Sequence, residues 1–227
     1  MLSLKNVSKS FGGIKAVDKC TFEVKENTIT SLIGPNGAGK TTVFNIISGL
    51  TKPDDGTIKL LDKNIMGLPA YKIAQAGISR TFQLTKIFRN LSIKDNLLIA
   101  KKTTEEEMKK ALESVYLTKS LGTIASELSY GQQRLLEIAR ALLKPHSLLM
   151  LDEPTAGVNP KVRQELKSIL GKLRKKGKTV LLIEHDMEFV MDISDNVIVL
   201  NEGKVLRTGN PKEITNDKKV LEAYLGK

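Results

Sequence analysis

GPNGAGKTT, Gly34 to Thr42, is the stretch from which the rest of the chain can be read. Glycines at 34, 37 and 39 free the backbone to turn its N–H groups inward, which makes a cradle for an anion. Before it, Thr28–Ile33 is apolar and β-branched, the pattern of a buried strand. After it, Thr41–Leu50 sets Val43, Phe44, Ile46, Ile47 and Leu50 on one side of a helix whose N-terminus points at the same anion. The full spacing Gly34-x-x-x-x-Gly39-Lys40-Thr41 between a strand and a helix is that of a phosphate-binding loop, and a Gly-rich turn with a chance lysine does not explain that context. Pro35, Asn36, Ala38 and Thr42 complete the cradle, Lys40 reaches the β- and γ-phosphates, and the Thr41 hydroxyl is offered to Mg²⁺. The chain is expected to bind and hydrolyse ATP with Mg²⁺.

Working outward, Leu148–Leu151 is an apolar strand buried on both faces, and Asp152 and Glu153 follow at its carboxyl end. Ligands bind there in parallel sheets. Asp152 is placed to hold the metal or its waters, and Glu153 to accept a proton from an attacking water. Leu128-Ser129-Tyr130-Gly131-Gln132 opens a helix over Gln133–Leu143; a hydroxyl and a glycine N–H at that terminus form a second anion site, while Ser129 also suits a plain N-cap. His185 follows strand Thr179–Ile183 and is a candidate partner for the γ-phosphate or the water. Gln83, after a short strand, can touch metal or water without adding charge, although by position alone it reads as an ordinary polar loop residue. Phe11, beside Gly12 and Gly13, is either an adenine-stacking ring or a strand-end core residue. His146 lies in a Pro-containing loop and is assigned no role.

The chain's 227 residues suit one large domain or a core with a smaller lobe. The first thirty residues read as short alternating strands, with Leu2, Leu4, Phe22 and Val24 on the buried side. Pro53–Gly56 is a turn before strand Thr57–Leu61. Thr104 and Glu107 form a capping box, and Met108, Ala111, Leu112, Val115 and Tyr116 recur at helical spacing. Glu105–Lys109 and Glu106–Lys110 are favourable pairs at i,i+4. A small helical lobe is expected across about 84–145. Leu148–Leu151, a helix at 160–175, Thr179–Ile183 and Asn196–Leu200 then follow in βαβ order, which implies a parallel sheet.

Net charge is +11, from 36 basic and 25 acidic residues in which the lysines lie in short scattered clusters, a balance that suits nucleic acid or an anionic membrane surface or, more simply, a solvated lysine-rich surface. With ten aromatic residues and no Trp, the chain lacks the stacking platforms that single-stranded nucleic acid needs. Cys20, the single cysteine, lies in an alternating stretch and reads as a packed core thiol, consistent with a reducing compartment. No secretory signal opens the chain and no apolar run is long enough to span a bilayer, so a membrane role needs another subunit for the span.

These pieces, in this order from Leu2 to about Gly209, resemble the nucleotide-binding subunits of ABC transporters. LSYGQQ at 128–133 looks like the ABC signature, 34–41 like Walker A and 148–153 like Walker B. The resemblance implies an α/β fold over 1–227: a P-loop NTPase core with a mainly parallel sheet, an N-terminal antiparallel β-subdomain and a small α-helical subdomain. It puts Phe11 at the A-loop, with Val17 also among the nucleotide contacts, Gln83 at the Q-loop as a catalytic and metal-side residue, and His185 at the switch. It implies a head-to-tail dimer in which Ser129, Gly131 and Gln132 serve the ATP held by the partner's P-loop. Transmembrane permease subunits would hold the pair at the cytoplasmic face of the cell membrane, with an extracytoplasmic solute-binding protein as indirect partner.

ISRTFQ (78–83), FRNLSIKDNLLIA (88–100) and DEPTAGVNP (152–160) look most like branched-chain amino acid importers. Urea- or amide-type importers, lipopolysaccharide exporters and soluble non-transport ABC ATPases are the alternatives. Three departures stand out: Tyr130 replaces the usual Gly, Asn159 replaces Asp at the D-loop, and the stretch from Gln83 to Leu128 is short.

Overall fold

The computed structural model describes residues 1–225. The chain opens with β1 (Leu2–Phe11) and β2 (Ile14–Val24), which pair antiparallel. They are long strands of 10 and 11 residues, where short ones were expected. The reason is local: Asn6 and Lys19 take positive φ (51° and 48°), so register shifts break the simple alternation without ending the strands. Then come β3 (Ile29–Ile33), α1 (Lys40–Ile47), β4 (Asp55–Leu60), β5 (Lys63–Asn64), α2 (Ala70–Gln75) and β6 (Ile78–Arg80). Three helices follow: α3 (Ile93–Ala100), α4 (Glu105–Ser114) and α5 (Tyr130–Leu143). The chain closes with β7 (Leu148–Asp152), α6 (Pro160–Lys175), β8 (Thr179–Ile183), α7 (Met187–Ile193), β9 (Asn196–Asn201), β10 (Lys204–Gly209), α8 (Pro211–Thr215) and α9 (Lys218–Leu225).

Two sheets result. A four-stranded antiparallel sheet runs β2-β1-β4-β5, and a six-stranded sheet runs β10-β9-β3-β8-β7-β6. The latter is parallel from β9 to β6, with β10 antiparallel at its edge. Every residue of β3, β7 and β8 is buried, which is why these strands read as unbroken apolar runs. One core lies between this sheet and the antiparallel one, enclosing Phe44 and Ile47 of α1 together with Leu4, Cys20 and Phe22. A second core, on the other face, packs α5 and α6 through Leu135, Leu136, Leu166 and Ile169.

Helix ends follow side-chain chemistry. α1 stops at Ile47, short of the expected Leu50, because Gly49 takes φ 73° and turns the chain away. α5 begins at Tyr130, before the expected Gln133, because Ser129 and Gln132 form a capping box. The expected box at Thr104 and Glu107 opens α4. Glu106 pairs with Lys110 at 2.6 Å as expected, whereas Glu105 reaches across to Lys94 of α3, also at 2.6 Å.

The turn between β9 and β10 joins the two sheets to the Gly34–Thr42 loop. Gly203 accepts from Asp18 N–H at 2.9 Å and donates to Ala38 C=O at 3.1 Å. No described helix is long and apolar enough to cross a membrane.

Candidate active site

The carboxyl ends of β3, β7 and β8 lie side by side, since these strands are neighbours in one parallel sheet. They present Gly34–Thr42, Asp152–Glu153 and Glu184–His185 to one crevice. Two glycines of the loop admit no side chain. A Cβ on Gly34 would fall 2.1 Å from Leu200 O, and one on Gly39 would fall 2.3 Å from Ala16 O. Gly37 is free of such contacts and is required by its φ of 81° alone. Lys40 is 6% exposed and donates to the carbonyls of Gly34 (2.7 Å) and Pro35 (2.9 Å). Burial lowers its pKa, and the charge of Glu153 works against that. Asn36, Gly37 and Thr41 are exposed; Pro35 and Thr42 are half-buried and Ala38 is buried.

Glu153 stands at the centre of three predicted residues. Its Oε2 accepts from Gln83 Nε2 at 3.0 Å, and its Oε1 lies 3.0 Å from His185 Nε2, a bond that needs the imidazole proton on Nε2. Gln83, Glu153 and His185 come from positions far apart in the chain, and the fold brings them together. Donors on both sides fix the carboxylate's direction. Glu153 itself takes φ 46°, and its N–H donates to Ile183 O at 3.0 Å.

Asp152 is 3% exposed. Burial raises its pKa, and Arg80, 2.8 Å from Oδ2, opposes the rise. Among the described residues no three His, Cys, Asp or Glu side chains cluster to cage a metal. Mg²⁺ is held by one or two carboxylates together with substrate phosphates and waters rather than by an all-protein cage. The exposed Thr41 hydroxyl and the single Asp152 carboxylate are hard oxygen donors of that kind, so the residues present fit Mg²⁺ arriving with a polyphosphate.

Phe11 is 51% exposed, with the Lys9 ammonium 5.4 Å from its ring centroid, which favours a stacking surface over a core ring. Val17 is fully buried in the core, so the structure does not bring its side chain to the surface beside Phe11. Ser129 is exposed and caps α5 by accepting from Gln132 N–H at 3.3 Å; Gln132 returns the bond to Ser129 N–H at 3.1 Å. Gly131 is buried, and a Cβ there would meet Val162 Cγ2 of α6 at 2.8 Å. These three lie at the start of α5. Cys20 is buried, and burial pushes its thiol up to about 12, consistent with the packed thiol expected.

The unusual Tyr130 and Asn159 have partners within the chain. Tyr130 Cε1 would lie 3.2 Å from a Cβ on Gly157, so ring and glycine fit each other. Asn159 Oδ1 accepts from Val162 N–H at 3.0 Å and caps α6, a duty Asn and Asp perform equally well.

Several engaged residues escaped sequence reasoning. Arg134 of α5 is fully buried, donates to the Phe82 carbonyl at 2.6 Å and to Glu137 at 2.9 Å, and also reaches the Gln83 carbonyl. Glu137 in turn accepts from Lys86 N–H at 3.1 Å, so the pair grips the backbone around Gln83. Burial raises the Glu137 pKa against the pull of Arg134. Glu184, also raised by burial, accepts from the N–H and hydroxyl of Thr155, both at 2.8 Å, and ties the loop after Glu153 to β8. For Glu184 a signal existed: it directly follows a parallel strand, as Glu153 does.

The sequence profile described as ABC transporter matches residues 17–156. The chain is 43% identical to the high-affinity branched-chain amino acid transport ATP-binding protein BraF of Pseudomonas aeruginosa, over 100% of this chain and 98% of that one. It is likewise 43% identical, with the same coverage, to the protein LivG of Escherichia coli, which carries the same description. Identity to the lipopolysaccharide export system ATP-binding protein LptB of Haemophilus influenzae is 35%, over 100% and 97% of the two chains. Among solved structures, a nucleotide-free ATP-binding cassette from an ABC transporter superposes with TM-score 0.91 at 32% identity, covering 100% and 99% of the chains. A dimeric cassette in a post-hydrolysis state, bound to ADP and Pi, gives 0.83 at 27% identity and covers 93% and 99%.

Proposed function

The chain belongs to the ABC transporter family and is an ATPase; on that premise we propose that it powers the import of branched-chain amino acids. The observation that carries the hydrolytic reading is the meeting of Gln83 and His185 on the two oxygens of Glu153, beside the phosphate loop. Lys40, the loop N–H groups and the N-terminus of α1 hold the phosphates. Glu153 accepts the proton of a water attacking the γ-phosphorus; the bond from that phosphorus to the β–γ bridging oxygen breaks, and ADP departs. Gln83 and His185 aim the carboxylate. Thr41 and Asp152, with Gln83, are the residues that would hold Mg²⁺ or its waters, and the bound ion would neutralise phosphate charge.

The exposed start of α5, with Ser129, Gly131 and Gln132, is the second anion site, and it serves the nucleotide of a second subunit. The likeness to a dimeric cassette bound to ADP and Pi supports that pairing. The helices between β6 and β7 form the lobe assigned to about 84–145. Between this lobe and the core runs a groove of about 320 Å³, lined by Leu50, Ala74, Phe82, Lys86, Ile99 and Lys144. It is apolar, with a basic rim, and suits a helix of a permease subunit that holds the protein at the membrane. An extracytoplasmic binding protein would deliver the solute to that permease.

Full-length likeness at 43% identity to BraF and LivG supports the amino-acid reading over lipopolysaccharide export, whose relative is less similar at 35%. The test is reconstitution with the cognate permease and binding proteins in proteoliposomes loaded with ATP. Uptake of labelled leucine, isoleucine and valine is expected, abolished by Glu153→Gln. Uptake of urea or a short-chain amide instead would refute the substrate assignment while leaving the importer reading in place.

A further inference from the structure

Arg80 has no part in the reaction as described, yet its side chain is only 6% exposed and both its terminal nitrogens are engaged. It donates to Asp152 Oδ2 at 2.8 Å, to Asn45 Oδ1 at 2.8 Å and to Ser48 Oγ at 2.7 Å. Its Cζ lies 5.5 Å from the Phe44 ring centroid and 5.0 Å from that of Phe82. A buried charge persists only where partners replace its lost hydration; here a carboxylate, two neutral oxygens and two ring faces do so.

The arrangement of these partners carries the argument. Thr41 and Asn45 of α1 and its C-cap Ser48 are spaced i, i+4, i+7, and Ser48 N–H still bonds Phe44 O, so the three share one face. The face that Arg80 grips is therefore the face that bears the Thr41 hydroxyl one turn nearer the phosphate loop. The other side of the guanidinium holds Asp152 at the end of β7. Arg80 itself sits on β6 in register with Met150, two residues before Asp152. Thr41 and Asp152 thus lie on elements joined through one planar group. With Oδ2 engaged, Oδ1 is the Asp152 oxygen left to face the metal.

We infer that Arg80 is a positioning residue for Mg²⁺: it sets α1 against β7 and selects the Asp152 oxygen presented to the ion. The inference deepens the proposed function and rests on its assignment of Thr41 and Asp152 to the metal. Lysine cannot substitute fully, because an ammonium is a point donor and cannot span Asp152, Asn45 and Ser48 in one plane.

The experiment measures mant-ATP binding by fluorescence on the full chain, first in EDTA and then along a Mg²⁺ titration. The variants are Arg80→Met, Arg80→Lys, the double Asn45→Ala/Ser48→Ala, and Asp152→Asn. Binding in EDTA should stay within about twofold of wild type, while the Mg²⁺ midpoint rises about tenfold in Arg80→Met and by less in Arg80→Lys and the double variant. An unchanged midpoint in folded Arg80→Lys and in the double variant, with Asp152→Asn shifted, overturns the inference alone. A purely structural role would lower the melting temperature and EDTA binding together and leave the midpoint in place, which also overturns it. Should Asp152→Asn leave the midpoint unmoved, the metal assignment itself fails and the inference with it. If Arg80→Met does not fold, Arg80→Lys and the double variant decide.

Discussion

Glu153 receives one donor on each carboxylate oxygen, so its amide analogue would keep the shape and lose the proton acceptor. Glu153→Gln is therefore expected to cut ATP hydrolysis by about 100-fold or more while mant-ATP affinity holds, checked by phosphate release and fluorescence titration. Near-normal turnover would remove Glu153 from the role of base. At the same scale, Cys20 has a thiol pushed up to about 12 by burial and offers no thiolate at neutral or mildly alkaline pH. Ellman's reagent at pH 8 should leave the native protein unmodified and react with one thiol once denaturant is added. Rapid labelling of the folded chain would contradict the packed position. The phosphate loop, Asp152, Glu153 and Ser129 were legible as candidates in the sequence because each sits in a motif or at a strand end, whereas Gln83 and Phe11 were singled out only by the family resemblance. Arg80 was not, since its partner Asp152 lies 72 positions along the chain and no spacing rule links them. Val17 shows the reverse: a position implied by resemblance, whose side chain the strand alternation turns into the core.

Elements show how α5 is joined to the Gln83 loop. Arg134 and Glu137, one turn apart on α5, hold the backbone at Phe82, Gln83 and Lys86 from both ends of one buried ion pair. Removing one member strands the other without water. Arg134→Met should destabilise the fold by about 3–5 kcal/mol in urea denaturation, and Arg134→Met/Glu137→Leu should recover part of that loss. A double variant less stable than the sum of the singles would show that the pair does not act as a unit. Strand and helix identities were readable from periodicity, and their ends were less so. α1 stops early because of a backbone conformation at Gly49, and α5 starts early because Ser129 caps it; both are local effects that side-chain periodicity does not record. Likewise β1 and β2 run on through two positive-φ residues, Asn6 and Lys19, where short strands were expected.

For the whole molecule, the two anion sites face different uses. On the proposed reading the phosphate loop works with Asp152 and Glu153 of its own chain, whereas Ser129, exposed at the start of α5, serves a second copy. In a Glu153→Gln background, ATP should shift the protein from monomer to dimer in sedimentation velocity. Adding Ser129→Arg should abolish that shift while mant-ATP binding by the monomer stays within about twofold, because the new side chain would crowd the partner's nucleotide and not its own. Full ATP-driven pairing in that variant would rule out the trans role. The Gly203 turn, bonded to Asp18 of the antiparallel sheet and to Ala38 of the phosphate loop, has one more effect. It makes the gap between the Phe11 ring and the loop a fixed length of the fold. On the proposed reading the protein holds a rigid ruler against each nucleotide, so a ligand that loses atoms at its phosphate end cannot slide to recover them.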